Sequence, residues 1–236
     1  MSLDRREFLL AFAASSVMPA TARPLPWRAG VAAADITPPL GLWMGGYAAR
    51  TQPARGIAQP LHAKAIALAD ASGRRAVVVT IDVLGLTDPA VQHIARAVRE
   101  HYGLPRERLL LCSSHTHCGP IIRDQLAVAY NLTPAQWDDV RTSTRRIEGQ
   151  IVDVVGRALR AMQPARLRYS QGTAGFAANR RTAINPDGPV DHAVPVLTVE
   201  RRDGSLAAVV FGYACHNTTL PASFVSYHGD YAGVAK

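Results

Sequence analysis

From residue 28 onward, short apolar runs alternate with two long amphipathic stretches. Residues 61–69 and 76–82 are apolar runs on either side of Asp70-Ala71-Ser72-Gly73, which predicts two strands joined by a turn. Asp88 and Pro89 then open a helix as cap and first-turn residue, and Gly103 ends it. Val91, Ile94, Ala95 and Val98 recur at helical spacing and form its core stripe. Residues 108–113 predict a third strand. Thr133-Pro134 opens a long helix to about Met162, with Trp137, Val140, Ile147, Ile151, Val154, Ala158 and Leu159 on one face. Residues 166–170 and 194–200 predict strands, and Asp203-Gly204 turns the chain into a last strand over 206–214. The order predicts an α/β fold, a mixed sheet flanked by helices. There is no internal repeat. Asp230 has the form of a helix cap, and the helix it opens meets no stop signal before Lys236. That predicts an incomplete catalytic domain, a piece of a longer protein.

Composition narrows the class. The 236 residues are 48% hydrophobic and only 19% charged, which excludes a disordered chain and gives enough apolar matter for a core. No apolar run reaches the length of a membrane span. The net charge is +8, but the arginines are scattered and aromatics make up 6%, which argues against nucleic acid as a partner. Residues 1–22 carry Arg5-Arg6, an apolar stretch and a small-x-small end at Ala20-Thr21-Ala22. This layout resembles a twin-arginine export signal and predicts a periplasmic or extracellular protein, with residues 23–236 as the mature chain. Cys112, Cys118 and Cys215 are too few and wrongly spaced for a disulfide scaffold, and leave room for one bridge or none.

The chemistry concentrates in two segments. Ser113-Ser114-His115-Thr116-His117-Cys118-Gly119-Pro120 directly follows a strand. Histidines at i and i+2 of an extended chain point to the same side, which suits a metal such as Zn²⁺. A lone HxH in a loop is ordinarily a pair of surface histidines, but the strand before it and the Gly-Pro after it favour a site. Ala214-Cys215-His216-Asn217 places a second histidine just past an apolar strand. His115 and His216 are two candidate ligands. His117 is either a third or a group that hydrogen-bonds substrate or metal-bound water. Asp82 ends the strand 76–82 in the same manner and is read either as a site residue or as a cap. Arg180, in Asn179-Arg180-Arg181, suits a substrate oxygen, although a solvated charge is the simpler reading of that run alone. There is no G-x-S-x-G, no phosphate loop, no dinucleotide fingerprint and no H-E-x-x-H. Cys118 beside His117 reads as a small loop residue, because neighbours in extended chain point apart.

These residues together resemble a known family. Gly30-Val31 through Asp35-Ile36-Thr37-Pro38, then Met44-Gly45-Gly46-Tyr47 and Gly56-Ile57, are similar to the N-terminal region of neutral/alkaline, non-lysosomal ceramidases, in a bacterial branch. His115-Thr116-His117 with Gly119-Pro120 is similar to their zinc motif, and Asn179-Arg180, His216 and Ser226 to Asp230 follow in the family's order. Cys118 stands where a serine is usual, and Arg181 where a smaller residue is common. The resemblance implies a zinc amidohydrolase that cuts the N-acyl bond of ceramide or a related lipid, met at a membrane surface, by a metal-activated water. It implies His115 and His216 as zinc ligands, His117 and Arg180 as groups that contact substrate, and Gly46 near the bound head group. The family's further ligands, a Glu and a Tyr, have no counterpart before Lys236. Two other readings are a zinc hydrolase of another ester, lactone or amide, and an exported binding module without catalysis.

Overall fold

The computed structural model describes residues 25–236, so the expected leader lies outside the described residues. Seven strands form one sheet in the order β5-β4-β3-β1-β6-β7-β8. They are β1 (Trp27–Asp35), β3 (His62–Ala69), β4 (Arg75–Ile81), β5 (Leu109–Ser113), β6 (Gln163–Thr173), β7 (Ala193–Arg201) and β8 (Leu206–Phe211). Within this sheet only β4 and β5 pair in parallel, joined through helix α1 (Asp88–Tyr102). The other pairs are antiparallel. A separate two-stranded ladder joins β2 (Gly56–Ile57) to β9 (Ser226–Tyr227). The mixed sheet expected from the sequence is therefore present.

Alternation along the strands sets the layers. Ala63, Ala65 and Ala67 of β3 and Val77, Val79 and Ile81 of β4 are buried against the helices. Small alanines bring the long helix α2 (Pro134–Arg160) close to the sheet. At Gly30 a Cβ would lie 2.2 Å from the carbonyl oxygen of Ala158, so only glycine fits beneath α2. Ile147, Ile151, Val154, Val155 and Ala158 of α2 join Ile94, Ala95 and Val98 of α1 in the main core. On the other face Ala29, Ile66, Ala165 and Val199 form a second cluster, against which Ala208 and Val210 of β8 pack.

Several boundaries differ from expectation. Strand β1 is central to the sheet, yet its Gly-Val-Ala-Ala-Ala run gives no strong strand signal. The cap of α1 is Thr87, with Asp88 as its first residue, and Ala90 takes the buried place expected of Val91. Thr133 caps α2 as expected, in a reciprocal box with Gln136. Strand β8 stops at Phe211, so His216 comes from a loop five positions further on and not from a strand end. Asp230 is the first residue of a short helix, α3 (Asp230–Val234), capped by Gly229. All three cysteines are free. Among the described residues no helix is long and apolar enough to cross a membrane.

Candidate metal centre

The parallel β4/β5 pairing continues just past the strands. Ser114 N donates to Ile81 O and His115 N to Val83 O. The chain then leaves extended geometry, because His115 takes φ 61, a left-handed conformation that histidine adopts more readily than most residues. His115 and His117 therefore meet through a turn and not through strand alternation. Their ring centroids lie 5.2 Å apart, nearly edge to face.

The segment from Thr116 to Pro120 is sewn to the loop 42–50. Met44 bridges Pro120, and Gly45 N donates to Gly119 O. The Arg50 guanidinium is buried and donates to His117 O at 2.9 Å, Gly45 O at 3.3 Å and Phe224 O at 3.1 Å. Thr116, fully buried, donates to His228 O and accepts from Cys118 N. The His117 ring sits against Tyr47, with centroids 4.7 Å apart. On its other side lies Gly46, at φ +100, where a Cβ would fall 2.2 Å from His117 Nδ1. Gly46 N in turn donates to the Tyr130 hydroxyl.

The third histidine arrives from the far end of the sheet. The His216 ring lies 4.9 Å from both His115 and His117, centroid to centroid. One ligand atom from each of the three lies within 4.8 Å of the others. His115 Nδ1 is 2.7 Å from Leu84 O. A carbonyl only accepts, so Nδ1 holds a proton, and in the neutral tautomer this leaves the Nε2 lone pair for a ligand. His117 Nε2 and His216 Nε2 face each other at 3.0 Å. Facing lone pairs at that separation repel unless a proton or a cation is shared between them. Three convergent imidazoles, one already oriented by a carbonyl, match what a divalent transition metal needs.

The electrostatics agree. Burial, with help from His216, His115 and Arg50, pushes the His117 imidazole down to about 4. Burial, His115 and the Arg180 guanidinium hold His216 below its usual value, although Asp230 opposes them. Both rings are thus kept neutral, the form that binds metal. Burial pushes the Cys118 thiol up to about 11, which leaves it un-ionised and supports its reading as a small loop residue.

The expected residues separate accordingly. His115, His117 and His216 come together, Gly46 packs on His117, and Arg180 stands close enough to bias His216. Asp82 is buried outside this group. Its carboxylate accepts from His62 N and pairs with Lys236. Sequence reasoning did not single out Arg50, Tyr47, Tyr130 or Asn217. Arg50 is one of many scattered arginines, and Tyr47 and Tyr130 show no spacing signal. The one available cue for Asn217 was its place directly after His216.

This is an α/β scaffold whose loops bring three histidines into one metal-competent group. The model for the N-terminal region of neutral/alkaline non-lysosomal ceramidases matches residues 27–236, and the chain belongs to that family. It is 31% identical over 238 aligned positions to the neutral ceramidase of Pseudomonas aeruginosa, an alignment covering 91% of this chain and 35% of that protein. The solved structure of neutral ceramidase from Pseudomonas aeruginosa superposes with a TM-score of 0.77 at 26% identity, over 89% of this chain and 35% of that one. A ceramidase complexed with C2 shares the fold, with a TM-score of 0.78 at 24% identity over 89% of this chain and 34% of that one. The chain spans about a third of the length of these relatives.

Proposed function

We propose that this chain carries the metal-binding half-site of a zinc-dependent hydrolase that cleaves the N-acyl amide bond of ceramide or a closely related lipid. The observation that carries the reading is the convergence of His115, His117 and His216 in a chain of this family. His115 and His216 would hold the ion, each through a ring nitrogen. Zinc in such a setting supplies Lewis acidity, which makes water a nucleophile near neutral pH and draws charge from a carbonyl oxygen.

The other side chains handle the substrate. His117 lies within hydrogen-bond reach of His216 and holds or moves a proton at Nε2. Gly46, having no side chain, lets the His117 ring lie against its backbone beside the place of the head group. Arg180, near His216, orients a hydroxyl or carbonyl of the substrate. Asp82 holds the β4 end through His62 while Ile81 O and Val83 O hold Ser114 and His115. The substrate is a lipid met at a membrane surface, and the leader over 1–22 takes the chain to the periplasm or beyond.

The test is zinc content together with fatty acid released from N-acylsphingosine micelles. The wild-type chain is compared with His115→Ala and His216→Ala in the 236-residue form and in a full-length family member carrying the equivalent changes. About one zinc per chain, lost in both variants with the amidase activity of the full-length protein, is expected. Zinc and activity retained in His115→Ala overturn the reading.

A further inference from the structure

Two of the three histidines reach the cluster on segments far apart in sequence, and one buried side chain ties those segments together. Asn217 directly follows His216 and is fully buried. Its Nδ2 donates to Ser114 O at 3.0 Å and to Gly229 O at 3.0 Å. Its Oδ1 accepts from Ala232 N at 3.4 Å, in the short helix α3. Ser114 is the residue before His115. Both amide hydrogens are used, one on the His115 segment and one on the cap of α3, and the oxygen is used on α3 itself.

We propose that Asn217 is a positioning residue that holds the His115 and His216 segments together and so sets the metal affinity of the site. The inference rests on the metal-site reading above and names a determinant of it. The physical argument is preorganisation. A metal that must first bring two loops together loses affinity to the cost of ordering them, whereas a site already fastened does not. Strand β8 ended five residues earlier, so the His216 loop lies beyond the sheet's hydrogen-bond ladder. The Tyr231 hydroxyl donates to Cys215 O at 2.7 Å and ties that loop to α3, but this bond does not reach the His115 segment. Asp230 secures the same loop further on, accepting from Thr219 N, Thr219 Oγ1 and Leu220 N, but these bonds do not reach the His115 segment. Asn217 bridges the two. The carboxamide is required chemically. An aspartate of the same shape would set a carboxylate oxygen against two carbonyl oxygens and donate nothing.

The experiment measures zinc affinity by competition with a chromophoric chelator, for wild type, Asn217→Ala, Asn217→Asp and His115→Ala, with far-UV circular dichroism and melting in chelator to read the fold. Outer-shell partners of metal-binding histidines typically carry about 10–100-fold in affinity, and a loss of that size is expected in Asn217→Ala and Asn217→Asp that keep the native spectrum. Affinity within about twofold of wild type in either folded variant overturns the proposal. If His115→Ala loses zinc while the Asn217 variants keep it, only this inference fails. If His115→Ala also keeps it, the metal reading fails with it. Should both Asn217 variants fail to fold, wild type decides. Coupling is reciprocal, so zinc must slow hydrogen exchange of the Asn217 side-chain amide, and equal rates with and without zinc refute the clamp.

Discussion

Replacing Gly46 with alanine puts a methyl carbon 2.2 Å from His117 Nδ1 and 2.4 Å from its Cγ. The imidazole has no easy retreat. Tyr47 packs on it at 4.7 Å, and Arg50 holds its backbone carbonyl. Gly46 also sits at φ +100, where a Cβ is strained whatever the space. Forcing an L-residue to positive φ costs about 1–2 kcal/mol, and overpacking a tight site costs about 1–3 kcal/mol more. Together they come to about 2–5 kcal/mol, which for a chain of this size lowers the melting temperature by roughly 5–15 °C. Relief comes only by pushing His117 out of line with His115 and His216, so zinc affinity falls as well. Gly149 is the control. It lies in the interior of α2 with no heavy atom within 4 Å of a built Cβ. Gly149→Ala is expected to stabilise by about 0.5–1 kcal/mol and leave zinc binding alone. Thermal melts and chelator competition on both variants read the two effects. A Gly46→Ala protein that melts within about 2 °C of wild type and binds zinc equally well would refute the packing argument.

Other perturbations test separate parts of the structure. Glu148, 1% exposed on α2, receives Arg123 Nε at 2.7 Å and Nη2 at 2.9 Å, so Glu148→Ala leaves a partly buried guanidinium without its carboxylate. Breaking such a pair costs about 3 kcal/mol, visible as a lower urea midpoint; an unchanged midpoint contradicts the role. Asp230 is a pH probe. Burial pushes its carboxyl up, but hydrogen bonds from Thr219, Tyr231 and Leu220 outweigh burial and hold it below the usual range. The unfolded chain therefore takes up the proton first as pH falls. The contribution is complete above about pH 4 and is lost below it as pH drops through the depressed value. Asp230→Asn is expected to be less stable near neutral pH and to show a flatter stability profile between about pH 5 and pH 2, and denaturation midpoints across that range check it. Zinc at about a hundred times its dissociation constant is expected to stabilise the wild type by about 2.7 kcal/mol and to leave His115→Ala unmoved in the same melt.

The periodic elements were legible in residue order alone. Helix α2 was legible because its apolar face repeats over 27 residues behind a Thr-Pro start, and burial of that face is worth more than any local alternative. Strands β3, β4 and β5 were legible from apolar runs bounded by turns. The histidines were legible as chemistry, because imidazoles flanked by a strand and a Gly-Pro are poor choices for a solvated loop. Strand β1 was hidden, since alanine and glycine favour no strand on their own. It is a strand because β3 and β6 supply its hydrogen bonds and α2 needs a flat surface at Gly30. The convergence itself was decided only in three dimensions. His115 and His117 meet through a left-handed residue that spacing does not announce, and His216 comes from a loop rather than a strand end. The groups that hold them there, Arg50 and Asn217, act through backbone carbonyls of residues far away in the chain. Any carbonyl can accept such a bond, so a sequence carries no mark of which one will, and only the packed fold makes the choice.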